Sequence, residues 1–187
     1  MVPLTALWLP ILVSGVFVFI GSCVIHMALQ YHRSDCDPLA TEDQLMDAMR
    51  KIGLPPGDYF LPHPPSKMAD MKSPEYEAKL EKGPLVVMTV LEGKGMPMGP
   101  RMAQWFVYTL VVSVFAGYVA GRTIAPGAPS MSVFRIAATV AFAGYALGMW
   151  PQSIWWSRKW STTWKNTFDG LIYALLTGWA FAWLWPK

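Results

Sequence analysis

The residues of this sequence best placed to do chemistry begin with His26, which lies inside a long apolar run. An imidazole there can ligate haem or a chlorophyll-type pigment through a ring nitrogen. A bis-histidine haem needs a second histidine within the apolar runs, and the sequence supplies none. His26 therefore reads first as a polar group satisfied near a membrane surface, with cofactor binding as the competing reading. Asp169 follows Asn166 by three residues at the start of the last apolar run. That spacing suits helix capping and dipole compensation, although a carboxylate there could also carry protons. Met68, Met71, Met96 and Met98, with His63 between the pairs in sequence, offer soft donors of the kind that select Cu(I). On that reading the metal candidates are His63, Met96 and Met98. Methionine also serves as an adaptable core filler, so no metal site is expected. Other signatures fail: Gly93-Lys94-Gly95 lacks the rest of a phosphate loop, and neither His-Glu-x-x-His nor Gly-x-Ser-x-Gly is present.

The elements that must hold these groups are mostly apolar. The 187 residues are 53% hydrophobic and 14% charged, against about 25% charged in soluble domains. A net charge of +3 without a basic run gives no footprint for nucleic acid. Cys23, within an apolar run, and Cys36, just beyond it, make neither a disulfide framework nor a metal knuckle. The opening run has no basic residue before it and no small-residue cleavage site after it, so it reads as an uncleaved anchor.

A spanning helix needs about 20 mostly apolar residues, and four runs qualify by eye. The expected fold is mainly α: a four-helix transmembrane bundle with a small α+β extramembrane domain inserted between helices 1 and 2. Residues 1–32 hold helix 1, residues 33–101 the domain, and residues 102–187 helices 2–4, at about 102–121, 133–156 and 167–185. Arg33, Arg101, Arg158, Lys159 and Lys165 flank one membrane side; Arg122, Arg135 and Lys187 flank the other. The excess places residues 34–100 in the cytoplasm and both termini in the periplasm. Trp105, Trp155, Trp156, Trp160 and Trp164 would mark the cytoplasmic interface, and Trp8, Trp183 and Trp185 the opposite one. A chromophore or sugar platform on Trp155 and Trp156 is the alternative use of that pair.

Small residues mark expected helix contacts. Gly170, Ala174, Gly178 and Ala182 recur every fourth residue on one face. The repeats Phe115-Ala116-Gly117-Tyr118-Val119-Ala120-Gly121 and Phe142-Ala143-Gly144-Tyr145-Ala146-Leu147-Gly148 each contain a Gly-x-x-x-Gly step. In the inserted domain, Thr41 and Gln44 read as a capping box for a helix with an apolar stripe of Leu45, Ala48, Met49 and Ile52 ending at Gly53. Asp47 and Lys51 have the spacing to support it. Ser73 and Pro74 open a second helix that stops at Gly83-Pro84, with Tyr76 and Leu80 inward. Residues 85–91 read as a buried strand whose nearest partner is residues 58–61. A lone hairpin is marginal in water, so the domain is expected to lean on a membrane or another subunit.

Tyr31-His32-Arg33-Ser34-Asp35, Pro55-Pro56-Gly57-Asp58-Tyr59, Met71-Lys72-Ser73-Pro74-Glu75 and Gln104-Trp105-Phe106 resemble a family of uncharacterised bacterial multi-pass inner-membrane proteins of similar length. So do Ser153-Ile154-Trp155-Trp156, Asp169-Gly170-Leu171-Ile172-Tyr173-Ala174-Leu175-Leu176 and Trp183-Leu184-Trp185-Pro186. The resemblance implies the bacterial inner membrane and transfers no activity or site residue. The function expected is a non-catalytic accessory or assembly subunit of a larger inner-membrane complex, energy-transducing by analogy with photosynthetic or respiratory ones. Its partners would be the lipid bilayer and other membrane subunits, with no nucleic acid and no small-molecule substrate. Pigment or haem contact would arise only within such a complex. The alternatives are a small oligomeric transporter or channel and a membrane enzyme acting on lipids through Asp58, His63 and Asp169.

Overall fold

The computed structural model describes residues 1–93 and 95–187. Lys94, at the centre of the Gly93-Lys94-Gly95 run, lies outside the described residues. The chain divides into two units: Met1–Asp37 together with Pro97–Lys187, and Pro38–Met96. In chain order the elements are α1 (Trp8–Cys23), α2 (Glu42–Ile52), β1 (Gly57–Leu61), α3 (Pro74–Lys82), β2 (Val86–Val90), α4 (Met98–Thr123), α5 (Ser130–Tyr145), α6 (Trp150–Trp156) and α7 (Trp160–Trp183).

Three helical stretches are long and apolar enough to cross a membrane: Leu4–Ala28, Met98–Thr123 and Ser130–Trp156. The fourth helix expected, now α7, does not reach that apolarity, because Lys165, Asn166 and Asp169 lie within it. It starts at Trp160 rather than near residue 167. The third stretch is not one regular helix. A 3-10 turn at Leu147–Met149 separates α5 from α6, with Pro151 in the first turn of α6.

The long helices pack as a closed ring, α1 on α4, α4 on α5, α5 on α7 and α7 on α1. One core cluster joins Val2, Leu7, Ala116, Ala120, Val133, Ala137, Phe181 and Trp185. The other joins Val18, Ile25, Val112, Ala141, Tyr145, Tyr173 and Ala174. Residues near the two termini meet the end of α4 and the α4–α5 connection: Val2 N–H donates to Gly121 O at 2.8 Å, and Gly127 N–H to Pro186 O at 2.9 Å. Small residues permit these approaches. A Cβ at Gly170 would stand 2.8 Å from that of Ala146, and one at Gly178 would stand 2.8 Å from Ala138 Cβ and 3.0 Å from Phe134 O. Ala174 is buried between them and Ala182 is half-buried. Gly117 abuts Phe181, Gly121 abuts the Val2 backbone and Gly144 abuts Val112. Gly148 abuts nothing within 4 Å, so the second repeat keeps only one of its two glycine contacts.

Two tryptophans expected at the membrane surface pack into the bundle, Trp185 buried and Trp105 half-buried. Trp185 is buried and donates to Ala125 O at 3.0 Å. Trp105 stacks on Tyr108, contacts Tyr145 and Tyr173, and donates to the Ser22 hydroxyl at 2.8 Å. The indole N–H found a protein partner, which holds the ring inside.

In the second unit, β1 and β2 pair antiparallel, with Gly57 opposite Val90 and Leu61 opposite Val86. The Thr89 hydroxyl donates to Asp58 across the pair at 2.6 Å. The strand expected to be buried is not: β2 alternates half-buried and exposed residues, as a two-stranded sheet without a second layer must. Ser73 Oγ accepts from Tyr76 N–H and caps α3 as expected, an arrangement worth about 1 kcal/mol. The Thr41 side chain makes no cap bond to α2. Asp47 pairs with Arg50 at 3.0 Å rather than with Lys51. Gly53, at φ 69, ends α2 in the left-handed conformation that glycine adopts without a Cβ penalty.

Candidate functional site

The polar residues of the bundle converge where α1 gives way to the segment after it. α1 passes into a wider π-turn at Val24–Ala28, which shifts the helical register at His26. Gln30 is left-handed at φ 47 and redirects the chain into a 3-10 turn at Tyr31–Asp35. That turn lies against α7. On α7, Lys165, Asp169 and Tyr173 recur at four-residue intervals and so share one face.

Asp169 is the anchor. It is 2% exposed, and both of its oxygens are engaged. The Tyr31 hydroxyl donates to Oδ1, and His32 Nε2 stands 2.7 Å from Oδ2. The other nitrogen of His32, Nδ1, is 2.6 Å from Asp35 Oδ2. Lys165 Nζ donates to Tyr31 O at 2.8 Å, Ser34 Oγ at 2.7 Å and Asp35 Oδ1 at 2.8 Å, which uses its three N–H bonds. His26 completes the cluster more loosely. Its ring centroid is 4.5 Å from that of His32, its Nε2 is 3.4 Å from the Tyr173 hydroxyl and 4.0 Å from Asp169 Oδ2, and its side chain is 47% exposed.

The electrostatics follow from this packing. Burial, reinforced by the bond to Asp169, pushes the Tyr31 phenol well above its ordinary range, so it remains a donor. Burial acts to raise the Asp35 carboxyl, but hydrogen bonds from Lys165 and His32 outweigh it and hold that group below the usual carboxylate range. Each ring nitrogen of His32 faces a carboxylate, Nδ1 that of Asp35 and Nε2 that of Asp169.

No family model, curated protein or solved structure matches this chain. The site therefore has to be read from its own geometry. Among the described residues, His26, His32 and Asp169 form the one group of three His, Cys, Asp or Glu side chains whose donor atoms all lie within 4.8 Å. His63 is exposed and belongs to no such group, and Met96 and Met98 are exposed.

Asp169 does not cap a helix, because α7 begins well before it. His26 lies near the end of the first apolar stretch and has histidine and carboxylate neighbours that the sequence does not announce. His32 was passed over there, being outside the apolar run. Its signal was the triplet Tyr31-His32 with Asp35 one turn on, matched by Lys165, Asp169 and Tyr173 on a single helical face.

Proposed function

We propose that this protein is a non-catalytic accessory or assembly subunit of a larger membrane complex, and that its Pro38–Met96 unit docks on another subunit. One observation carries the reading. Among the described residues, Tyr76 is the only buried hydrophobic side chain of that unit, while Leu45, Ile52, Leu85, Val87 and Leu91 are exposed. A unit of this size with a single buried apolar residue lacks the core that sustains independent folding. Covering one leucine or isoleucine is worth about 1.5–3 kcal/mol, so a partner laid over this surface would supply what the unit does not bury itself. Two pairs of interior hydroxyls support association over transport, because each satisfies its partner: Ser14 with Ser113 at 2.9 Å, and Ser153 with Thr163 at 2.6 Å. Asp58 and His63 belong to the second unit and Asp169 to the first, so the three groups of the lipid-enzyme reading are divided between units.

The test is purification in mild detergent of the wild-type chain and of the Leu45→Glu, Ile52→Glu double variant. The wild type is expected to retain a defined membrane subunit that the variant loses, with the bundle's unfolding midpoint unchanged. A wild-type chain that purifies alone, as a monomer or a homo-oligomer, would sink the reading.

The setting that goes with this proposal is the bacterial inner membrane, with α7 as a fourth span. Its 24 residues extend about 36 Å, more than the roughly 30 Å of a bilayer core, and its charges near one end are paired. The basic flanks put the Pro38–Met96 unit in the cytoplasm. Membrane-impermeant thiol reagents applied to intact cells should leave exposed Cys36 unmodified and label a cysteine introduced at Ser130. The reverse pattern would invert the topology.

A further inference from the structure

We infer that His26, His32 and Asp169 form a binding site for a divalent first-row transition ion, with Asp35 positioning His32. The donor set decides the class of ion. Two imidazole nitrogens and one carboxylate oxygen suit Zn²⁺ and its neighbours, whereas Ca²⁺ and Mg²⁺ prefer all-oxygen shells and Cu(I) prefers sulfur. The geometry needs little movement. Zinc–ligand bonds of about 2.0–2.2 Å place neighbouring donors in a tetrahedral site about 3.3 Å apart. The His32 Nε2–Asp169 Oδ2 pair opens to that value from 2.7 Å, and the His26 Nε2–Asp169 Oδ2 pair closes to it from 4.0 Å. His26 is free to make that approach, since its one hydrogen-bond contact is the 3.4 Å approach to Tyr173.

The outer contacts are those of a metal-bound histidine. A ligating imidazole commonly directs its other N–H at a carboxylate, which fixes the tautomer and strengthens the donor. Asp35 Oδ2 occupies that place, 2.6 Å from His32 Nδ1, and is itself held by Lys165. Tyr31 likewise fixes Asp169 through Oδ1 and leaves Oδ2 toward the two histidines. On binding, the ion takes the Nε2 lone pair of His32 and any proton on Nε2 leaves to water, while the proton on Nδ1 stays there and is donated to Asp35 Oδ2. Three protein ligands leave a fourth position for water on the side where His26 is exposed.

The experiment uses the full chain in mild detergent, stripped with a chelator and titrated with Zn²⁺ alone. About one zinc per chain should survive desalting, and Co²⁺ should give a visible absorption of its bound form. His26→Gln keeps a hydrogen-bonding side chain but ligates poorly, and should lose the retained zinc and the cobalt band while its metal-free unfolding midpoint matches the wild type. Asp35→Asn should weaken affinity about 10–100-fold, as outer-shell changes do. His63→Gln should bind as the wild type does. Absence of retained zinc, wild-type affinity in His26→Gln, or loss of binding in His63→Gln would each overturn the assignment.

Discussion

Replacing Asp169 with alanine will destabilise the bundle more than any other single change at its polar residues, by about 3 kcal/mol, the lower end for breaking a buried ion pair. The carboxylate holds Tyr31 through one oxygen and His32 through the other. Without it, the Tyr31 hydroxyl and His32 Nε2 lose their buried partner. Asp169→Asn keeps one oxygen to accept and should cost less, about 1–3 kcal/mol, the range for a buried donor left unsatisfied. Denaturant titration in detergent micelles would measure both. A loss below about 1 kcal/mol for the alanine variant would show that the contacts to Tyr31 and His32 do not hold the bundle together.

Gly178→Leu should cost about 1–3 kcal/mol by forcing α5 and α7 apart. A single Cβ there already meets Ala138 Cβ at 2.8 Å and the Phe134 carbonyl at 3.0 Å, and a backbone carbonyl cannot turn aside as a side-chain tip can. Gly148→Ala is the matched control. It has open space within 4 Å, so its effect should stay within about 0.5 kcal/mol. The same unfolding assay reads both. Equal stability of the two variants would show that the α5–α7 contact is not set by small residues.

Much of the bundle was legible because lipid-scale apolar runs have one economical backbone solution. That the last helix packs through its small residues was legible too, since Gly170, Ala174 and Gly178 share one face; that α5 is the neighbour was not. Sequence repetition was a poorer guide. Gly117 and Gly144 occupy equivalent places in their repeats but meet Phe181 and Val112 respectively, because each helix has different neighbours in the ring. The β1–β2 pairing followed from turn residues and β-branched content, whereas the burial of β2 did not, since burial depends on a second layer that local sequence cannot report. The site was the hardest part. His26 and Asp169 drew notice one at a time, each with a local explanation. Their relation to His32 is a matter of which helices adjoin, and the partners of Asp169 lie 137 and 138 positions away.

That separation has a consequence for how the chain is made. Synthesis runs from the N-terminus, so Tyr31 and His32 emerge from the ribosome long before α7 exists. Throughout that interval His32 and Asp35 in the turn after α1 have only each other, and the Tyr31 hydroxyl lacks its acceptor on α7. Lys165 and Asp169 arrive together on the last helix, one turn apart, and engage the waiting turn from the same face. The bundle's first and last helices are thus joined by its most polar contact. The turn after α1 reaches its full set of hydrogen bonds only when the C-terminal helix has been delivered.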